Sequence, residues 1–208
     1  MMRNALVLLC SPHAKASSGW PVVASCLAQL ELDNPGIEIR YRTLSAPGLP
    51  LPSAAYANAI MAGSPMDDPA FDLSGTLIRE LEESDMLIIA TPMHNFTIPA
   101  CLKIWMDYVL RIHRTFTPTP AGKVGKLRDI PTLVVVASGG FHHGPRANQP
   151  DFLSPYLSFA LNTIGIQSIQ YVYLQGLAYG QDSVQYALNQ TNDETVAAYS
   201  ALLAVTGN

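Results

Sequence analysis

The chain has 208 residues, a formal net charge of −4 and 49% hydrophobic content, which suits one domain over 1–208 with a full core. Its 12 Lys and Arg are scattered and its three cysteines, Cys10, Cys26 and Cys101, are widely separated with no Cys-x-x-Cys spacing, which argues against a nucleic-acid face, a disulfide framework and a zinc site. The apolar run behind Met1 is too short for a signal-peptide core and no segment reaches a membrane-spanning length, so a soluble cytoplasmic protein is expected.

The continuous apolar run over 5–9 reads as a strand buried on both faces of a parallel sheet. Over 21–32, Val22, Val23, Cys26, Leu27 and Leu30 recur at helical spacing, with Pro21 in the first turn and Asn34-Pro35-Gly36 as the stop. The alternation of Ile37, Ile39 and Tyr41 with Glu38, Arg40 and Arg42 predicts a strand over 37–44 nearer the sheet edge. A Pro-, Gly- and Ser-rich connection over 45–69 carries one short helix near 54–61. Helical spacing returns over 71–83, followed by a solidly apolar central strand over 86–90 and a helix over 98–112. Strands over 132–137 and 169–174 and helices over 152–164 and 192–205 complete the pattern. Five strands alternating with helices imply an α/β fold, a doubly wound parallel sheet covered on both faces, because parallel neighbours need right-handed crossovers.

In such a sheet a ligand lies beyond the carboxyl ends of the strands, near the point where strand order reverses. Three loops there have unusual composition. Cys10-Ser11-Pro12-His13-Ala14-Lys15-Ala16-Ser17-Ser18-Gly19-Trp20 leads directly into a helix, where backbone N–H groups, the helix dipole and the hydroxyls of Ser11, Ser17 and Ser18 suit a phosphate; an ordinary Ser-rich cap is the plainer reading. The triphosphate and dinucleotide fingerprints are both absent, which favours a monophosphate. Thr91-Pro92-Met93-His94-Asn95-Phe96-Thr97-Ile98-Pro99 offers polar groups to the edge of a planar heterocycle and Met93 and Phe96 to its faces or rim. Ala137-Ser138-Gly139-Gly140-Phe141-His142-His143-Gly144-Pro145 has paired glycines that let backbone approach a flat ligand.

These loops, read with Leu102-Lys103-Ile104-Trp105-Met106-Asp107, Thr115-Phe116, Pro155-Tyr156-Leu157, Ile164-Gly165-Ile166 and Gly176-Leu177-Ala178-Tyr179-Gly180, resemble the FMN-dependent NADH azoreductase branch of the flavodoxin-like NAD(P)H:quinone reductases. The resemblance runs through most of the chain and is most specific in Pro92-Met93-His94-Asn95-Phe96 and the Leu-Lys-x-x-x-Asp helix. It implies a five-stranded flavodoxin-like fold and a homodimer with FMN in two sites near the interface. NADH or NADPH is the implied donor, and quinones or aromatic azo compounds are the acceptors. Matching positions put Ser11, Ser17, Ser18 and Gly19 on the FMN phosphate and ribityl chain. Met93, His94, Asn95 and Phe96 border the isoalloxazine, and Ser138, Gly139 and Gly140 approach its pyrimidine side. Phe96 and Phe116 are the candidates for stacking against a second ring. His142, which matches a family His, is the candidate for a charge or proton role. Two departures stand out: His94 replaces a usual Tyr, and Ala137-Ser138-Gly139-Gly140 replaces a Ser-Arg-Gly-Gly type turn, removing a cation.

With no separate dinucleotide fingerprint, nicotinamide and acceptor are expected to use one open site in turn, a ping-pong scheme. The flavin supplies the electron-transfer chemistry and the protein supplies binding and alignment. The rival reading is a flavodoxin-like electron carrier without a substrate site of its own. A phosphodiester hydrolase lacks the metal ligands or activated nucleophile it would need.

Overall fold

The computed structural model describes residues 1–206. Its sheet consists of β1 (Asn4–Leu9), β2 (Glu38–Thr43), β3 (Met86–Pro92), β6 (Thr132–Ala137) and β7 (Ile169–Leu174), all parallel, in the order β2-β1-β3-β6-β7. The five-stranded, flavodoxin-like parallel sheet expected above is therefore present, and the chain reverses direction across the sheet between β1 and β3. Two short strands, β4 (Phe116–Thr119) and β5 (Gly122–Gly125), pair separately as an antiparallel hairpin.

Alternation along each central strand feeds two cores. Leu6, Leu8, Leu87 and Ile89 pack with α2 (Ala54–Ala62), α3 (Asp72–Glu82), α4 (Ala100–Val109) and α5 (Ser154–Ile164), around the fully buried Trp105. Ala5, Val7, Leu9, Met86 and Ile88 face α1 (Trp20–Asp33) and α6 (Gln181–Thr206). Both faces are covered, which is why the central strands read as unbroken apolar runs. The edge strand β2 is tied to α3 by charge: Arg42 pairs with the buried Glu80, and Arg40 with Glu83 at 2.8 Å. On the opposite edge, the Tyr171 and Tyr173 hydroxyls of β7 reach Ser158 at 2.8 Å and Ser154 at 2.9 Å on α5.

Two elements depart from the expected string. The β4–β5 hairpin follows no strand signal, since Pro118 interrupts it and all but its first residue and Gly125 are exposed. The last helix starts at Gln181, eleven residues before the expected position. The buried residues of that added stretch are Ala187 and Thr191, too small or polar to register as an apolar stripe. Thr191 and Thr195 hide their hydroxyls by donating back to the carbonyls of Ala187 and Thr191.

Candidate functional site

Because β1, β3 and β6 are neighbours in the sheet, the three loops singled out by composition leave adjacent strand ends on one edge. Direct bonds join their roots. The Cys10 N–H donates to the Ala90 carbonyl at 2.9 Å and the Met93 N–H to Ala137 at 2.8 Å, while the Ser138 N–H ties the third loop to the end of β7 through Leu174 at 2.8 Å.

In the first loop, the Ser11 hydroxyl accepts from the His13 N–H at 3.2 Å, and the Ser11 carbonyl accepts from the Ala14 N–H and from the Ser45 hydroxyl. A single 3-10 turn over Ala14–Ala16 follows, then Ser17, whose carbonyl receives the Trp20 N–H at 3.0 Å as α1 begins. Gly19 is buried, and a Cβ there would rest 3.7 Å from Val135 and 3.9 Å from Ala137, at the end of β6. Lys15 lies over the Tyr41 ring at 3.8 Å and the Trp20 ring at 5.0 Å, a cation–π clamp that sets the loop against α1 and β2. Sequence reasoning passed over Lys15; its signal was a cation inside a loop already read as anion-binding.

The second loop makes a two-residue reversal. His94 and Thr97 exchange backbone bonds of 3.0 and 3.1 Å, while Asn95 and Phe96 stand at φ of +48° and +73°. Two positive φ angles are the mark of a type I′ turn, which Asn tolerates and Phe does not favour. The Phe152 N–H holds the Phe96 carbonyl at 3.0 Å, and the Phe96 ring is 45% exposed. His94 also exposes its side chain; its backbone makes the contacts that shape the turn. Met93 is half-buried and touches the Gln149 amide through sulfur at 3.9 Å.

The third loop folds over His142, which is buried. The Ser138 hydroxyl donates to the Gly140 carbonyl at 2.8 Å and lies 3.1 Å from His142 Nδ1. Since that hydroxyl has spent its proton on Gly140, the bonding pattern assigns the donor role to Nδ1 and leaves Nε2 as a bare acceptor. Nε2 is buried and finds no partner among the described residues. Burial, with a smaller contribution from His143 and against the pull of Asp151, holds the His142 pKa below its ordinary value. The imidazole is therefore neutral at pH 7, suited to accept a hydrogen bond from a ligand N–H rather than to carry a positive charge. Gln175, also missed in the sequence, braces this loop: its side-chain oxygen accepts the N–H groups of His142 and His143 at 2.8 Å each. Gly139 and Gly140 remain open enough for backbone approach, with only Ala178 and the flexible end of Gln149 near their hypothetical Cβ positions.

The structure thus brings Ser11, Ser17, Ser18, Gly19, Met93, His94, Asn95, Phe96, Ser138, Gly139, Gly140 and His142 to one edge of the sheet. Phe116 is different. It is 7% exposed at the head of β4, under the Lys123 ammonium at 4.8 Å, and belongs to the apolar core. Its burial leaves little ring surface for stacking, and Phe116 lies on the wall of a separate apolar groove of about 680 Å³ together with Tyr56, Ile60, Met61 and Leu110.

Among the described residues, no partner is found for the backbone N–H groups of Ser18, Gly19, Asn95, Phe96, Gly139 and Gly140. Unpaired donors concentrated on three adjacent loops, with the orphaned His142 nitrogen, are what an anionic, polar-edged planar ligand would satisfy. The residues present fit FMN.

The description "Flavodoxin-like fold" matches the chain over residues 3–198. It is 50% identical over 189 residues to FMN-dependent NADH:quinone oxidoreductase 4 of Pseudomonas fluorescens, covering 91% of this chain and 92% of that protein. It is 46% identical over 203 residues to FMN-dependent NADH:quinone oxidoreductase 5 of Burkholderia lata, covering 98% and 97%. The crystal structure of an azoreductase from Bacillus anthracis str. Sterne superposes with a TM-score of 0.80 at 22% identity, covering 97% of this chain and 99% of that one, which supports the fold. With its parallel sheet and three-loop edge, the chain belongs to the family of FMN-dependent NADH:quinone oxidoreductases with a flavodoxin-like fold.

Proposed function

We propose that the protein is an FMN-dependent oxidoreductase that takes electrons from NADH and reduces quinones or aromatic azo compounds, acting as a single-domain chain paired in a homodimer. The observation that carries the reading is the set of unpaired N–H groups on three loops at the switch point of the sheet. Relatives covering nearly the whole chain bear the matching names.

FMN, when bound, supplies the two-electron transfer between donor and acceptor. Ser18 and Gly19, with the hydroxyls of Ser17 and Ser18, would hold the phosphate at the start of α1, and Ser11 would shape the loop through its bond to His13. Met93 and the backbone of His94, Asn95 and Phe96 would border the ring system. Gly139, Gly140 and the acceptor nitrogen of His142 would meet its polar edge, with Ser138 fixing the imidazole. The exposed Phe96 ring would align a nicotinamide or quinone ring by stacking. One open site serving both partners in turn gives ping-pong kinetics.

The homodimer is supported by exposed aromatic residues in a row at helical spacing, Phe152, Tyr156 and Phe159, on and before α5, with Phe152 bonded to the Phe96 turn. Dependence on NADH suits the cytoplasm, and no helix among the described residues is long and apolar enough to cross a membrane. The test is NADH oxidation by purified FMN-loaded protein with a soluble benzoquinone. Continuous turnover with parallel double-reciprocal plots supports the reading, and one stoichiometric reduction without turnover refutes it.

A further inference from the structure

Two of the three cysteines, remote in sequence, meet at the root of this site. Cys10 is the residue that leaves β1 for the first loop, and its side chain is 1% exposed. Cys101 is the second residue of α4, directly after the second loop, and is half-buried. The Cys101 thiol donates to the Cys10 carbonyl at 3.3 Å, which brings the two residues into direct contact. The third, Cys26, lies on the buried side of α1, against the other face of the sheet, and has no cysteine neighbour among the described residues.

We propose that Cys10 and Cys101 form a redox-sensitive thiol pair that a small peroxide converts to a disulfide, linking the roots of the first and second loops. Cys101 is the nucleophile, being the accessible member and sitting in the first turn of a helix, where backbone N–H groups favour a thiolate. Its pKa is lowered to about 7 by its contact with Cys10 and, against the opposing effect of burial, by the N–H groups of Leu102 and Cys101 itself. The thiolate sulfur attacks a peroxide oxygen: an S–O bond forms, the O–O bond breaks, and hydroxide leaves and is protonated to water. Cys101 is oxidised to the sulfenic acid. Cys10 then attacks that sulfur: the S–S bond forms, the S–O bond breaks, and the Cys10 proton leaves with the hydroxyl as a second water. Burial first, and then its neighbour, keep Cys10 protonated until that moment; once Cys101 is a neutral sulfenic acid, the charge next to Cys10 is gone.

An S–S bond of about 2.05 Å draws the two sulfurs together, and Cys10 directly follows a strand paired on both sides, with its own N–H held by the Ala90 carbonyl at 2.9 Å. The shift therefore falls on the first turn of α4 and on the loop that precedes it. The consequence for activity rests on the FMN reading above; the disulfide does not. The test treats FMN-loaded protein with a modest excess of hydrogen peroxide, followed by intact mass and peptide mapping under non-reducing conditions. The expected result is loss of two hydrogens, a Cys10–Cys101 linked peptide, Cys26 still reactive to alkylation, and a fall of threefold or more in NADH:quinone turnover that dithiothreitol reverses. Cys101→Ala should abolish both the link and the loss of turnover. Cys10→Ala should stop at a sulfenic acid on Cys101 trapped by dimedone. Oxygen addition on Cys101 with no link in the parent protein, oxidation spread evenly over all three cysteines, or a link that leaves turnover unchanged would overturn the proposal. A colourless protein that still forms the link would sink the FMN reading alone.

Discussion

The strained turn at Asn95 and Phe96 permits a test in which the usual order of two substitutions is reversed. Phe96 sits at φ +73° with its ring 45% exposed. Removing the half-buried ring costs about 1–1.5 kcal/mol whether the replacement is Ala or Gly. Ala keeps a Cβ in the left-handed region, where an L-residue is penalised by about 1–2 kcal/mol, whereas Gly does not. At an unstrained site Gly would be the worse choice by about 0.5–1 kcal/mol through chain entropy. Subtracting, Phe96→Gly should be more stable than Phe96→Ala by about 0–1.5 kcal/mol, with a centre at about 0.75 kcal/mol. Both variants lose the stacking ring, so kcat/KM with a benzoquinone should fall together, by roughly tenfold. Urea unfolding of the two apoproteins, followed by far-UV circular dichroism, reads the difference. Phe96→Ala proving the more stable would refute the strained turn, and unchanged kcat/KM would remove Phe96 from the acceptor site.

Gly165, at φ +112°, ends α5 where a Cβ would stand 2.4 Å from the Leu127 carbonyl oxygen; Gly165→Ala should cost about 3 kcal/mol or more in thermal unfolding. Glu80 is buried beside Arg42, whose side chain is 28% exposed, so Glu80→Gln should cost about 2–3 kcal/mol, measured by denaturant unfolding. For Asp85, burial alone would raise the pKa, but the N–H groups of Arg3 and Asn4 and the Arg128 guanidinium outweigh it and lower it from 3.8. Its stabilising contribution is complete above that value and is lost as pH falls through the lower folded value, so Asp85→Asn should flatten the acid limb of a stability–pH curve. His142 has a lowered folded pKa against an ordinary 6.5. The buried neutral form favours folding above pH 6.5, a contribution lost below it, and His142→Gln should reduce the slope of stability just under that pH.

Apolar runs over 5–9, 86–90 and 132–137 carried the sheet in the sequence, because strands covered on both faces leave no polar alternation to confuse the reading. The loops were legible for a different reason. Serines before a helix and paired glycines have few uses beyond turns and close approach, and the edge they share follows from strand order. What escaped notice depended on partners distant in the chain. Lys15 has meaning only against Tyr41, Gln175 only against His142 and His143, and Cys10 only against Cys101. Phe116 matched a family position, yet an aromatic residue in sequence does not disclose whether its ring is free or packed. The start of α6 was hidden because Ala187 is small and Thr191 packs as an apolar residue once its hydroxyl is bonded to the helix itself.

If the first loop holds a phosphate while the other two meet a flavin ring, comparing FMN with riboflavin separates those parts. Apoprotein titrated with each ligand, followed by flavin fluorescence, measures the share contributed by the phosphate alone. Two or more charge-assisted bonds from Ser18, Gly19 and the neighbouring hydroxyls predict FMN binding tighter than riboflavin by roughly a hundredfold or more, saturating at one FMN per chain. Equal affinity for the two ligands would remove the phosphate from the first loop, and no saturable binding of FMN would remove the flavin from all three.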